Sequence, residues 1–210
     1  MEPVSMESAE QKQTLDVSDL PTVVFGHRNV SWLGNVFYMT IEGAMFAFLI
    51  ATYFYLRARS IHWPPEHQSP PLLRYGIANA VVFLCSLVPA RWVQLRARAF
   101  DRPKVTLGLG ILASFGVVAL VLRAFELTAL RCRWSDNAYA SAIWVLIGMH
   151  CGHLITEWLE TLTILGISFT DKMEGPRIVD ASINSDYWFF VVASAMAVDL
   201  VIYGTTRLMS

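Results

Sequence analysis

Four ionisable side chains, His150, His153, Glu157 and Glu160, stand in an otherwise apolar run from about Tyr139 to Gly166. At about 100° per residue they fall within an arc of about 80° on one helix, with Gly148 and Gly152 nearly opposite. Two imidazoles and two carboxylates on one face, joined by Glu42 and Glu126 from other apolar runs, have three chemical uses. The first is a carboxylate–histidine di-metal site. Such sites repeat Glu-x-x-His on two helices with the Glu first, whereas here both His precede both Glu and no second copy exists. The second is an ion path through a transporter or channel subunit, which would use the same buried charges. The chain lacks the inverted repeat, paired half-helices or mid-span Gly/Pro break that such a carrier uses. The third and most economical is a buried network, with Glu42 a hydrogen-bonded carboxyl and His150 and His153 hydrogen-bonded core histidines. Counting the rise per residue puts Glu42 and His150 near one depth, so the two are expected to share that network.

The elements that must hold these groups are membrane helices. The chain is 55% hydrophobic and only 16% charged, with a mean hydropathy of +0.46, and its apolar residues cluster in runs long enough to cross a bilayer core. The expectation is an all-α integral membrane bundle of five transmembrane helices, at about 29–56, 75–96, 105–128, 139–165 and 187–206. Residues 1–28 are expected to form a flexible arm, and no further domain is expected. Gly148 and Gly152 predict close approach of a neighbouring backbone, with the Gly43, Ala47 and Ala51 stripe as one possible partner face. Arg123 and Glu126, three apart, are placed to pair with each other. Asp199 is left between a satisfied polar group and a group that faces another subunit.

Basic residues number nine on the side of the N-terminus against six on the other, with the run from Arg96 to Lys104 carrying most of the bias. This predicts a cytoplasmic N-terminus. Arg123 and Glu157 then belong to opposite sides of the membrane, and Glu157 or Glu160 is expected near Arg91, Arg96, Arg98 or Lys104. A net charge of −1 argues against a nucleic-acid partner, which would need a basic face. Cys85, Cys132 and Cys151 offer no Cys-x-x-Cys spacing and are expected to be unpaired.

Glu42-Gly43, Phe46 and Tyr53-Phe54-Tyr55-Leu56-Arg57, then Trp63-Pro64-Pro65, Glu126, the run Ser141, Gly148, His150, Gly152, His153, and Tyr187-Trp188 follow one another in order. In that order they resemble subunit III of the haem-copper terminal oxidases, in its short five-helix bacterial form. The chain departs from that family's pattern at several points. Arg123 and Leu127 stand for a Gln and a Tyr, Cys151 and Glu157 for glycines, and Phe189 with Val192 for the His and Asp of a Tyr-Trp-His-Phe-x-Asp run. The resemblance implies a scaffold subunit of the bacterial inner membrane without a cofactor of its own. It would pack against the catalytic subunit I, which holds haem and copper, and against other subunits of a terminal oxidase. It would also bind phospholipid and help sustain proton uptake during oxygen reduction. Both cytochrome c and quinol stay open as electron donor, and the accessory protein of nitric-oxide reductases is a near neighbour.

Overall fold

Asn29 and Asn137 each start a helix by the same device. The Asn29 side chain accepts from the backbone N–H groups of Ser31 and Trp32 at 2.8 and 3.2 Å, and that of Asn137 accepts from Ala140 at 2.8 Å. Both caps satisfy donors that the first helical turn leaves free. In the computed structural model, which describes residues 23–66, 68–170 and 172–208, the helices are α1 (Val30–Ala58), α2 (Leu73–Arg98), α3 (Arg102–Ala129), α4 (Ala138–Ser168) and α5 (Pro176–Asp199). A π-helical turn, Leu200–Gly204, and a short α6, Thr205–Leu208, continue α5. Among the described residues, five helices are long and apolar enough to cross a membrane, so the fold is an all-α membrane bundle.

Four of the five lie close to the expected bounds, and α2 runs unbroken through Pro89 to Arg98. α5 departs furthest, starting at Pro176 rather than near Tyr187. Its first turns carry Asp180, Ser182, Asn184, Ser185 and Asp186, which depress local hydropathy and read as a loop. Ser182, Asn184 and Ser185 are nevertheless buried, with Asn184 partnered by Thr161 of α4 and Ser185 by its own helix. Of the expected arm, residues 1–22 lie outside the described residues. Residues 23–28 are docked rather than free: Asn29 Nδ2 donates to Val24 O at 2.8 Å, and the Phe25 ring meets Phe100 edge-on at 5.7 Å.

α2 packs most extensively against α3 and α5, and α3 also against α4, while α1 lies at the edge against α4 and α5. Three buried apolar clusters stack along the bundle. Val93, Val105, Leu109 and Ile178 lie towards the end that holds the α2–α3 turn. Phe83, Leu112, Trp188 and Val191 fill the middle, and Tyr53, Tyr139, Ile143 and Ile202 lie towards the other end. Trp188 is fully buried and its Nε1 donates to Ser86 Oγ at 2.8 Å, so it belongs to the core and not to an interfacial belt. The α2–α3 turn is tied by Asp101, which receives Lys104 Nζ at 2.6 Å and faces Arg96 at 3.8 Å. The Lys104 hydrogen bond holds the half-buried Asp101 carboxyl below the usual range.

The glycines that permit close packing are not those expected. Gly148, Gly152 and Ala47 are exposed, and a methyl group added at either glycine would meet nothing within 4 Å. Gly43 alone faces a neighbour, the Phe190 ring at 3.6 Å. The close approaches lie at Gly76, Gly108 and Gly116, where an added methyl carbon would come within 2.4 to 2.5 Å of Tyr203, Val93 and Trp158 respectively. Periodicity did not single these out, because a glycine shows no polarity and its facing side chain comes from another helix. Gly116→Ala is expected to destabilise the bundle by about 1–3 kcal/mol, since the Trp158 indole is held by a hydrogen bond to Ala113 O at 3.0 Å. Gly110→Ala, on open space, is expected to stay within about 0.5 kcal/mol. Chemical unfolding of both variants in micelles measures the difference.

Candidate functional site

An arginine sits wholly inside the bundle. Arg123 of α3 is 0% exposed, and its Nη1 donates to Glu126 Oε2 at 2.6 Å and to Asp199 Oδ1 of α5 at 2.8 Å. Glu126 is further held by Asn79 Nδ2 of α2 at 3.1 Å and by the Tyr203 hydroxyl at 2.5 Å. The expected Arg123–Glu126 pair is therefore present, buried within the bundle. Asp199 is resolved as its second carboxylate. No simple sequence signal joins Arg123 to Asp199, because they lie on different helices and far apart in the chain. The π turn that follows Asp199 carries Tyr203, whose ring passes over Gly76.

The second cluster joins α1, α4 and α5. Glu42 Oε1 lies 3.0 Å from His153 Nε2, and the Tyr187 hydroxyl donates to Glu42 Oε2. His153 Nδ1 lies 2.7 Å from Met149 O. A carbonyl only accepts, so Nδ1 carries a proton, and Nε2 and the Glu42 carboxyl face each other across one further proton position. This arrangement can hold or pass a proton between a carboxyl and an imidazole. A cleft of about 240 Å³ lined by Tyr38, Glu42, Gly148, Gly152 and His153 opens beside the pair. Glu42 thus points to protein, although its partner is His153 and not the expected His150. The His150 Nε2 instead lies 3.1 Å from Val191 O, and the His150 ring meets Phe83 at 5.3 Å. Phe83 also lies under the Arg123 guanidinium at 5.6 Å, so one aromatic ring stands between Arg123 and His150.

The third cluster is Glu157, Thr161 and Asn184. Asn184 Nδ2 donates to Glu157, and Thr161 Oγ1 donates to Asn184 Oδ1 at 3.2 Å. This corrects the expected link of Glu157 or Glu160 to the basic residues. Glu160 is exposed, and Glu157 is buried against α5. The basic residues find Asp186 and Asp101 instead. Arg91 Nη1 donates to Gln94, Gln94 donates to Asp186, and Trp32 Nε1 donates to Asp186 Oδ2 at 3.1 Å. Asp186 lay in a stretch read as a loop, which is why it was missed. The donor set that a di-metal site would need is divided among these clusters, and among the described residues no three His, Cys, Asp or Glu converge to hold a metal ion.

Arg123 is the residue on which the first cluster is most exposed to test. Arg123→Leu is expected to cost about 3–5 kcal/mol, because it leaves Glu126 and Asp199 buried without their cation. The double variant Arg123→Leu/Asp199→Leu is expected to cost less than the two single changes together, by at least about 1 kcal/mol. Additive losses on unfolding in micelles would mean that the ion pair does not couple α3 to α5.

No protein-family model matches the chain. It is similar to the cytochrome c oxidase subunit 3 of Synechocystis sp., 24% identical over 182 residues that cover 85% of this chain and 77% of the relative. It is likewise 24% identical to the Corynebacterium diphtheriae protein of that name, over 83% of this chain and 88% of the relative. With the Bacillus subtilis protein of that name it shares 25% identity, over 82% of this chain and 84% of the relative. Each match extends over more than four-fifths of the chain, so along most of its length the chain is similar to cytochrome c oxidase subunit 3 proteins.

Proposed function

We propose that the chain is the non-catalytic subunit III of a haem-copper terminal oxidase. The observation that carries the reading is similarity over more than four-fifths of the chain to cytochrome c oxidase subunit 3 proteins. In this reading the haem and copper belong to a neighbouring catalytic subunit I, and this chain packs against it within the lipid bilayer of the bacterial inner membrane, with other subunits of the oxidase. The N-terminus and the α2–α3 turn lie on the cytoplasmic side, which the four basic residues from Arg96 to Lys104 favour.

Glu42 and His153 give this scaffold its chemistry. A carboxyl and an imidazole 3.0 Å apart, beside a cleft that opens between α1 and α4, can accept and return a proton without leaving a lone charge in the membrane. This suits a subunit that supports proton uptake by its neighbour during turnover and binds phospholipid at its flank. The Arg123 cluster serves cohesion, since its hydrogen bonds and ion pairs join α2, α3, α5 and the π turn.

Mild detergent extraction of the tagged chain from its native membrane tests the reading. It is expected to bring down a partner whose oxidised and reduced spectra are those of haem, identified by mass as a haem-copper catalytic subunit. Recovery of the chain alone, free of haem and with an activity of its own, would refute it.

A further inference from the structure

The end of the bundle that holds the α2–α3 turn has more positive side chains than its own acids take up. Asp101 faces Lys104 and Arg96, Asp180 lies 3.6 Å from Arg177, and Arg102 Nη2 donates to the carbonyls of Ser168 and Thr170. Arg28 before α1, Arg98 at the end of α2 and Lys172 in the connection from α4 to α5 are exposed. Their side chains make no hydrogen bond or ion pair among the described residues. Three separate elements thus each bring one unpaired positive charge to the same end.

The chain arrives at α1 across this end. The Phe25 ring meets Phe100 of the α2–α3 turn edge-on at 5.7 Å and packs on the buried cluster of Val105, Leu109 and Ile178. Val23 Cγ2 comes within 3.9 Å of where a methyl carbon at Gly175 would lie, which puts it beside the connection from α4 to α5. Val24 is tied through its carbonyl to Asn29 Nδ2 at 2.8 Å. Residues 1–22, which precede this docked stretch, carry Glu2, Glu7, Glu10, Asp16 and Asp19 against Lys12 alone. Asp19 and Asp16 stand four and seven residues ahead of Val23. They reach at most about 14 and 25 Å from it, and packed helices stand about 8–10 Å apart.

We infer that the acidic segment 1–22 is the partner of this basic face, with Asp16 and Asp19 pairing with Arg28, Arg98 and Lys172, so that it straps the α2–α3 turn to the connection from α4 to α5. Each such pair is weak when exposed. The segment is joined to the bundle at Val23, however, and meets the face at an effective concentration on the order of millimolar, so the pairs act together. Anionic headgroups would also neutralise the three cations. They would repel the five carboxylates of the segment at the same time, whereas pairing segment with face satisfies both charge sets at once. The inference needs no oxidase partner and stands apart from the function proposed above.

The test uses the full chain, with whatever subunits copurify, in neutral detergent at low salt, and follows cleavage after Glu7 and Glu10 by a glutamate-specific protease, read by mass spectrometry. Arg28→Gln/Arg98→Gln/Lys172→Gln is expected to be cut about tenfold faster than the unchanged protein, since three exposed pairs are lost. Asp16→Asn/Asp19→Asn, which leaves both cleavage sites in place, is expected to be cut faster likewise. The control Arg131→Gln/Arg133→Gln, at the opposite end of the bundle, is expected to be cut at the unchanged rate. Added salt is expected to bring the unchanged protein up to the rate of the triple variant. Equal rates for the unchanged protein and the triple variant, an equal rise in the control pair, or protection that disappears when phosphatidylglycerol nanodiscs replace the detergent would each overturn the inference, the last by assigning the basic face to headgroups.

Discussion

A guanidinium inside a membrane bundle cannot shed its charge, and the rest of the architecture follows from having to neutralise it. Arg123 lies on α3, one carboxylate comes from its own helix and the other from α5. Glu126 still has lone pairs to satisfy, and α2 and the π turn supply Asn79 and Tyr203. The cluster therefore fixes the register of three helices at once. It also explains why the backbone departs from α geometry at Leu200–Gly204: one widened turn carries the Tyr203 hydroxyl to Glu126 while Asp199 faces Arg123. The ring that reaches across needs a space with no side chain, and Gly76 provides it.

α1 is held on a different principle. Much of its apolar surface is exposed, with Phe37, Ile41 and Phe48 between 62% and 73% accessible, and a lipid-facing surface gives no hydrophobic reward for packing. Its anchorage depends on the few residues that turn inward. Glu42 joins His153 of α4 and Tyr187 of α5, and Tyr53 reaches Thr205 Oγ1 at 2.6 Å. At the end that holds the α2–α3 turn, Trp32 meets Asp186. Polar contacts spaced along an otherwise lipid-facing helix specify one position for it where greasy contacts would tolerate several. The groove left between α1 and α4 is then a consequence of α1 being tied at points rather than along a seam.

Hydropathy made the spans legible because a bilayer demands that each crossing segment satisfy its own backbone, and this constraint is written locally. The polar residues Glu42, Glu126, His150, His153 and Glu157 were legible for the same reason, as costly groups that must face protein. Their partners were not. Whether Glu42 meets His150 or His153 depends on helix rotation by less than one turn, which depth counting cannot resolve. Gly148 and Gly152 looked like a packing face, yet that reading required a facing helix, and spacing on one helix says nothing about where its neighbours are. The early start of α5 was hidden because its polar turns are satisfied by α4 and by their own backbone, a tertiary fact invisible to a local average.

The departures from the subunit III pattern become coherent once they are placed in space. The family's last helix has an Asp where this chain has Val192, and Asp199 follows seven residues later, close to two full turns and hence on nearly the same face. Asp199 thus lies about 10 Å further along α5 than Val192. At that level it meets Arg123, which stands where the family has Gln. Without Asp199 the guanidinium would keep Glu126, but without Arg123 the buried Asp199 would have no cation, and the ion pair at 2.8 Å joins α3 to α5.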